Sequence, residues 1–162
     1  MSAELELGPF EQAGEVARML LPAEIGPVQH RAHRRGVKLW VGADACPPEH
    51  YEAQLVGRRH VDGVDGVAIE VGFHSERKKE PENDEVLQAL VADRPEWDDG
   101  IGEEATAGVF LGHEGWRRIS EVWIEPDFED DDLGFEMGSR LADYVLALEP
   151  LVIQLRARAN AS

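Results

Sequence analysis

The side chains best suited to chemistry alternate along one short stretch, residues 66–76. Its even-numbered positions carry the ionisable groups Glu70, His74 and Glu76, whereas positions 67, 69, 71 and 73 are all apolar. A period of two is typical of a β-strand with one apolar and one polar face. Because residues two apart on a strand lie about 7 Å apart, these carboxylates and the imidazole can line one groove and bind a ligand or exchange protons with it.

Glu121 is a further candidate, because the apolar residues Ile119 and Trp123 share its face in a second strand-like segment. A carboxylate in apolar surroundings needs a cationic partner or a proton, and Arg117 and Arg118 are the nearest cations in the sequence. Two interpretations stay open: an arginine–glutamate lattice on a sheet, or a metal-dependent or acid/base hydrolase that uses Glu70, His74 and Glu121. The candidate ligand-binding residues are therefore Glu70, His74, Glu76, Arg117, Arg118 and Glu121.

Two other groups of residues are weaker candidates. Asp44, Cys46 and His50 flank a rigid pair of prolines, and a cysteine beside a histidine can form a thiolate nucleophile. His113, in a predicted turn, could join His74 and a carboxylate in a metal site. The spacing matches no metal motif such as H-E-x-x-H, and the chain has a single cysteine. We therefore predict an incidental cysteine, no metal and no cofactor.

The formal net charge of −17 over 162 residues is the strongest compositional feature. It predicts repulsion from nucleic acids and from anionic lipids. Acids concentrate in residues 125–136, where the run lacks the spacing and central glycine of an EF-hand; an acidic mimic of nucleic acid is one hypothesis for it. Basic residues cluster instead in residues 30–38, which suits either a helix end or a site for an anion or an acidic partner.

Size and composition predict one soluble globular domain over residues 1–162, with 1–8 and 157–162 frayed. No run of apolar residues is long enough to span a membrane. The N-terminus lacks the pattern of a secretion signal, and a single cysteine forms no intramolecular disulfide. These observations together predict a cytoplasmic protein. No P-loop, glycine-rich dinucleotide motif or G-x-S-x-G motif is present.

Periodicity and turn residues predict the helices. Apolar residues at helical spacing indicate a first helix over 8–20 and a long C-terminal helix, in which Pro150 predicts a kink or break at Glu149. The basic segment 28–35 is predicted as a short helix. Asn83 is predicted to cap a further helix that ends at Pro95, and the acidic loop after it holds Trp97, which could serve as a lid or a partner contact.

Alternating patterns predict five strands, over residues 37–41, 50–56, 66–76, 106–111 and 116–124. Two Asp-Gly pairs within 60–66 indicate a hairpin turn. Short connections between strands favour antiparallel pairing. The predicted fold class is therefore α+β: a mostly antiparallel sheet of about five strands, with helices packed on one face and a long C-terminal helix.

The lack of a coherent catalytic set favours a small acidic domain that binds a protein partner or a small ligand. The hydrolase is the alternative, and the nucleic-acid mimic is the third hypothesis. One structural feature separates a scaffold from a site: in a scaffold Glu70 would face an arginine, whereas in a site it would face a groove.

Overall fold

The computed structural model describes residues 3–57, 59–61 and 66–161. Over these residues the chain forms four α-helices and six β-strands. In chain order they are α1 (Ala3–Leu20), β1 (Val28–His33), β2 (Gly36–Val41), β3 (Glu49–Gly57), β4 (Val67–Ser75), α2 (Glu80–Ala92), α3 (Arg94–Ile101), β5 (Thr106–Phe110), β6 (His113–Trp123) and α4 (Leu133–Ala161). No helix in these ranges combines the length and apolar composition needed to cross a bilayer.

The six strands form one antiparallel sheet in the order β1-β2-β3-β4-β6-β5. The predicted α+β class, antiparallel sheet and long C-terminal helix are confirmed, with six strands rather than about five. The alternating stretch 66–76 contains β4, which lies between β3 and β6 in the middle of the sheet. The Asp-Gly turn predicted before it falls largely on residues 62–65, which lie outside the described ranges.

The additional strand is β1, where the prediction of a basic helix over 28–35 was wrong. The segment pairs with β2 from Val28↔Val41 to His33↔Gly36, and Arg34 and Arg35 form the two-residue turn between them. In a hairpin each side chain has a cross-strand neighbour on its own face of the sheet. These contacts outweigh a weak helix propensity.

The hydrophobic core lies between the helices and one face of the sheet. On β4 the odd-numbered residues Ile69, Val71 and Phe73 are buried against it, and on β6 Ile119 does the same. Helices α1 and α4 pack on each other and on this face, and α2 packs beside them against β6. The apolar face of β4 therefore points to the helices, and its even-numbered, polar residues point to the other side.

Predictions made at two prolines are corrected in part by the structure, in each case for a local reason. Pro150 does not end α4, which continues to Ala161; Pro150 and Leu146 are exposed, so the carbonyl that loses its N–H partner can bond to water. The helix before Pro95 ends at Ala92, but the acidic loop predicted after it is the helix α3, with Pro95 in its first turn, where proline is favoured.

Two side chains assigned to surface roles are buried instead. Trp97 does not act as an exposed lid: its side chain is buried in α3 and its indole N–H donates to the Leu90 carbonyl at 2.8 Å. Asn83 does not cap α2, which begins three residues earlier. The Asn83 amide is buried and bonds to Ser75 and to the backbone of Arg77 and Gly115, which fixes α2 to the end of β4.

Candidate metal centre

The register of β3 and β4 brings two H-x-E tripeptides together on the sheet face away from the helices. His50 lies directly opposite His74, and in each case a glutamate follows two residues later, Glu52 and Glu76. Antiparallel strands are related by a local two-fold axis, so the tripeptides flank a common point. Residues two apart share a face of the sheet, which places all four side chains together.

The four side chains form a ring in which imidazole nitrogens and carboxylate oxygens alternate. His50 Nε2 lies 2.8 Å from Glu52 Oε1 and 3.3 Å from Glu76 Oε2. His74 Nδ1 lies 3.5 Å and 3.2 Å from the same two oxygens, and all four atoms lie within 4.8 Å of one another. Ligand atoms on a tetrahedral zinc ion are about 3.3 Å apart, given bonds of about 2.0–2.1 Å. The ring therefore has the dimensions of a metal-binding site.

Each imidazole is oriented by a hydrogen bond at its outer nitrogen. His74 Nε2 donates to the Glu70 carboxylate at 2.9 Å, and His50 Nδ1 donates to the Pro47 carbonyl at 2.9 Å. These bonds keep a proton on the outer nitrogen, so in a neutral ring the inner lone pair points to the common centre. Carboxylates and backbone carbonyls orient metal-ligating histidines in the same way.

Glu70 is itself fixed by further donors. Its carboxylate accepts from Ser120 Oγ at 2.6 Å and from Gln54 Nε2 at 2.8 Å, and the residue is fully buried. Burial alone would raise the pKa of Glu70, but the charge and hydrogen bond of His74, together with the bonds from Ser120 and Gln54, lower it. Glu70 therefore stays ionised as the acceptor for His74.

The inner nitrogen of His74 is the conspicuous atom of the ring. The side chain is fully buried, yet Nδ1 has no hydrogen-bond partner, because its contacts with Glu52 and Glu76 lack the geometry of a hydrogen bond. Buried polar atoms without a hydrogen bond are rare in folded proteins, although here the two carboxylates still interact with the imidazole through charge. A metal ion at the centre of the ring would use this lone pair.

The histidines and carboxylates stabilise each other's charged forms. Burial alone would lower the pKa of His50, but hydrogen bonds with Cys46, Glu52 and Glu76 offset it and raise that pKa to about 11. Burial opposes the carboxylates as well, yet both imidazoles hold the pKa of Glu52 far below its ordinary value and lower that of Glu76 to about 2. The pKa of His74 is raised well above its ordinary value, chiefly by Glu70 against the effect of burial. The ring is strongly suited to positive charge at its centre.

Lys38 of β2 completes the charge balance. Its Nζ lies 3.7 Å from Glu52 and 4.0 Å from Glu76. With both imidazoles protonated, the three carboxylates (Glu52, Glu70 and Glu76) are matched by two imidazolium groups and this ammonium. One divalent ion with two neutral imidazoles gives the same neutral total, so metal can replace two protons without leaving a net buried charge.

Aromatic side chains cover the ring on the side of β5. The Phe110 ring packs edge-on against His74 at 4.6 Å, and Trp116 packs on Phe110 at 5.4 Å. Val61, in the segment after β3, packs with Val56 on the same face of the sheet. The polar residues are therefore buried without a helix above them.

Glu121 and Arg117 do not join this site, and the prediction that Glu121 could complete it with Glu70 and His74 was wrong. Glu121 lies opposite Val71, and Arg117 lies opposite Ser75, so both project to the helix side. Directly opposed residues share a face, and this pairing places an odd-numbered residue of β6 beside each odd-numbered residue of β4.

On the helix side both residues have structural partners. Glu121 is bonded by Arg140 at 2.6 Å, Tyr144 at 2.8 Å and Trp123 at 2.9 Å. Arg117 bonds to Glu80 and Asp84 of α2. Neither Arg117 nor Arg118, the partners expected from the sequence, pairs with Glu121. The arginine–glutamate pairs of this region use Arg140 for Glu121 and Glu80 for Arg117, and they lie on the opposite face from Glu70.

Arg118 is on the same face as the ring, opposite His74. It donates to Ser120 Oγ at 2.8 Å and to the Val109 carbonyl at 3.4 Å, and burial lowers the pKa of its guanidinium. It supports the serine that holds Glu70 and lies outside the ring itself. Of the candidate residues, only His74 and Glu76 belong to the ring, with Glu70 directly behind it.

The two weaker groups of candidate residues do not stay together in the structure. His50 belongs to the ring; Cys46 lies beside it and contacts the Pro47 carbonyl at 3.6 Å, while the carbonyl of Asp44 accepts from Trp40. His113 stacks on the Trp116 ring at 3.9 Å and is not part of the only potential metal-binding group found among the described residues.

Sequence reasoning assigned His50 to a different group and missed Glu52. The available signal was the repeated tripeptide, His50-Tyr51-Glu52 and His74-Ser75-Glu76, in two segments both predicted as strands and joined by a predicted hairpin. That pattern suggests proximity but not register, and register decides whether the tripeptides coincide.

Comparisons of this chain with protein-family models, with curated proteins and with solved structures give no match.

Proposed function

We propose that this protein binds one divalent transition-metal ion through His50, Glu52, His74 and Glu76. The observation that carries the proposal is the ring of two imidazole nitrogens and two carboxylate oxygens, with His74 Nδ1, which makes no hydrogen bond, aimed into it. The bonds that orient both outer nitrogens support it, because they leave the ligating lone pairs directed inward.

The donor set narrows the class of metal. Two imidazoles and two carboxylates suit Zn²⁺ and neighbouring ions such as Co²⁺. Mg²⁺ and Ca²⁺ prefer oxygen ligands alone, and the ring contains no thiolate that would favour soft ions. Zinc is therefore the reference ion for the proposal.

The role we propose is a binding or stabilising centre. Four protein ligands occupy the four positions of a tetrahedral site, whereas catalytic zinc sites usually have three protein ligands and a bound water. Glu70 is engaged by His74, Ser120 and Gln54, so it is poorly placed to act as a mobile base. This favours a ligand-binding domain over a hydrolase.

Titration of the metal-free chain with Zn²⁺ tests the proposal. After dialysis against a chelator, calorimetry should give one site per chain, and elemental analysis of the loaded protein should give one zinc. His74→Gln should abolish that binding. His113→Gln is the matched control, because His113 is exposed and lies on the same side of the sheet without a place in the ring.

A second variant tests whether the loss of zinc binding in His74→Gln could result from misfolding. Glu76 is the most exposed ligand, with 11% of its side chain accessible, so Glu76→Gln should keep the far-ultraviolet circular dichroism of the wild type and still weaken zinc binding. Tight zinc binding that persists in both Glu76→Gln and His74→Gln would contradict the proposal, and so would a wild-type chain that takes up no metal.

A further inference from the structure

The proposed metal centre is accessible from one side. The side chains of His50, Glu52 and His74 have at most 6% of their surface exposed, whereas Lys38 has 30% exposed and Glu76 has 11%. Phe110 closes the side towards β5. A small molecule that reaches the ring would therefore pass over Lys38, on β2.

A cationic surface adjoins that side. Arg31 of β1 lies directly opposite Lys38, which in turn lies opposite Glu52 of the ring, so these residues form one row across the sheet. Neighbouring strands are about 4.8 Å apart, which puts the backbone of Arg31 about 10 Å from that of Glu52. Arg34 and Arg35 form the adjoining turn. We call the four cations, Arg31, Arg34, Arg35 and Lys38, the basic hairpin.

Lys38 of the basic hairpin pairs with Glu52 and Glu76 of the ring, but the three arginines differ from the other basic sites near the core in their lack of counter-ions. Arg31, Arg34 and Arg35 are exposed and pair with no carboxylate of the described residues. By contrast, several arginines pair with glutamates: Arg77 and Arg156 with Glu49, Arg117 with Glu80, and Arg140 with Glu121. In a chain of net charge −17, three neighbouring arginines without acidic partners form a local site for an anion.

We infer that the basic hairpin binds the phosphate group of a small molecule, one oxygen of which adds to the metal as a fifth ligand from the side of Lys38. The inference rests on the proposed metal site. Arginine and lysine are the usual ligands for phosphate, arginine through paired N–H groups. A doubly charged phosphate matches several cations better than a single carboxylate does. The overall negative charge disfavours a nucleic acid as the source of that phosphate.

Inorganic phosphate is the probe, and Co²⁺ is the reporting metal because its visible spectrum responds to its ligands. At constant ionic strength, phosphate should change the spectrum of the cobalt-loaded chain. It should also bind at least tenfold more tightly to the loaded chain than to the metal-free chain. Acetate at the same concentration should bind more weakly.

Arg31→Ala should weaken phosphate binding about tenfold and leave cobalt affinity unchanged, since Arg31 does not contact the ring. Arg18→Ala is the matched control, because Arg18 is exposed on α1 and should leave phosphate binding unchanged. Equal phosphate affinity in wild type and Arg31→Ala would overturn the inference. Equal affinity with and without metal, or loss of cobalt to phosphate, would also overturn it.

The cobalt titration separates the two proposals. If cobalt binds with one site per chain and phosphate has no effect, the phosphate inference fails and the metal site stands. If no metal binds, the proposed function fails at that step, and the phosphate inference fails with it.

Discussion

The two faces of the central strands each carry buried carboxylates, but they are satisfied by different donors. On the helix side, Glu121 accepts hydrogen bonds from Arg140, Tyr144 and Trp123. On the other side, Glu52 and Glu76 face His50 and His74, with Lys38 at the edge.

The difference lies in which donors can give up a proton. An arginine is always protonated and has no lone pair to offer a metal, so the Glu121 cluster is complete as it stands. A histidine can lose its proton and become a ligand. The His74 nitrogen that has no hydrogen bond marks the second cluster as the one that can accept an ion. Whether a buried carboxylate belongs to a complete ion-pair cluster or to a potential metal site therefore depends on whether its partners are arginines or histidines.

The largest expected effect comes from breaking the helix-side cluster. Arg140→Ala removes the only guanidinium bonded to Glu121, whose side chain is 6% exposed, and leaves that charge buried. We expect a loss of about 3 kcal/mol of unfolding free energy, measured in urea with and without zinc. Arg94→Ala is the control: it breaks an exposed pair with Asp98 and should cost under about 1 kcal/mol. Equal losses in the two variants would contradict this comparison.

Zinc should stabilise the folded chain by binding to the ring, on the sheet face opposite the Glu121 cluster. At a free zinc concentration one hundred times its dissociation constant, the unfolding free energy should rise by about 2.7 kcal/mol, because the ion binds only the folded ring. Thermal unfolding measured with zinc and with chelator checks the increment. It should vanish in His74→Gln and persist in Arg140→Ala. A zinc increment in the His74 variant equal to that of the wild type would show that the ion binds elsewhere.

The stability contributed by a further buried carboxylate on the helix side, Glu149, should depend on pH. Burial raises the pKa of Glu149 to about 6; Arg156 and Tyr51 act against this rise and Glu49 adds to it. A raised folded-state pKa gives stability that is present below the unfolded value of about 4.5 and is lost as pH rises through 6. Relative to Glu149→Gln, the wild type should lose about 2 kcal/mol between pH 4 and pH 7.

Urea unfolding of both chains across that pH range measures the difference, and the titration of the ring cancels because both chains share it. Zinc affinity at pH 7 serves as the control and should be the same in the two chains. A stability difference that does not change with pH would show that the pKa of Glu149 is ordinary.

The smallest effect should come from the residue behind the ring. In Glu70→Gln an amide oxygen can still accept from His74 Nε2, so the ring orientation survives but the charge is lost. We expect zinc affinity to fall about tenfold, or about 1.4 kcal/mol, measured by competition with a chelating dye. Gln54→Ala removes one donor to Glu70 and should change the affinity less. An unchanged affinity in Glu70→Gln would mean that Glu70 does not tune the site.

The sequence alone determined the elements and their faces. The alternation in residues 66–76 predicted β4, its apolar face and the polar grouping of Glu70, His74 and Glu76, because a strand repeats every two residues whatever surrounds it. The same reasoning predicted β3, β5, β6 and the start of the C-terminal helix, and with them the α+β class. It failed at β1, where the hairpin partner outweighed the local pattern.

Only the tertiary structure decided which polar residues meet. Pairing of Val71 with Glu121 and of His50 with His74 is a matter of register, and a shift of one residue would move every side chain to the other face. Register depends on loops and on packing of the whole sheet, which a local pattern does not contain. For this reason Glu121 joined the helix-side cluster, and two H-x-E tripeptides 24 residues apart in the sequence became one site.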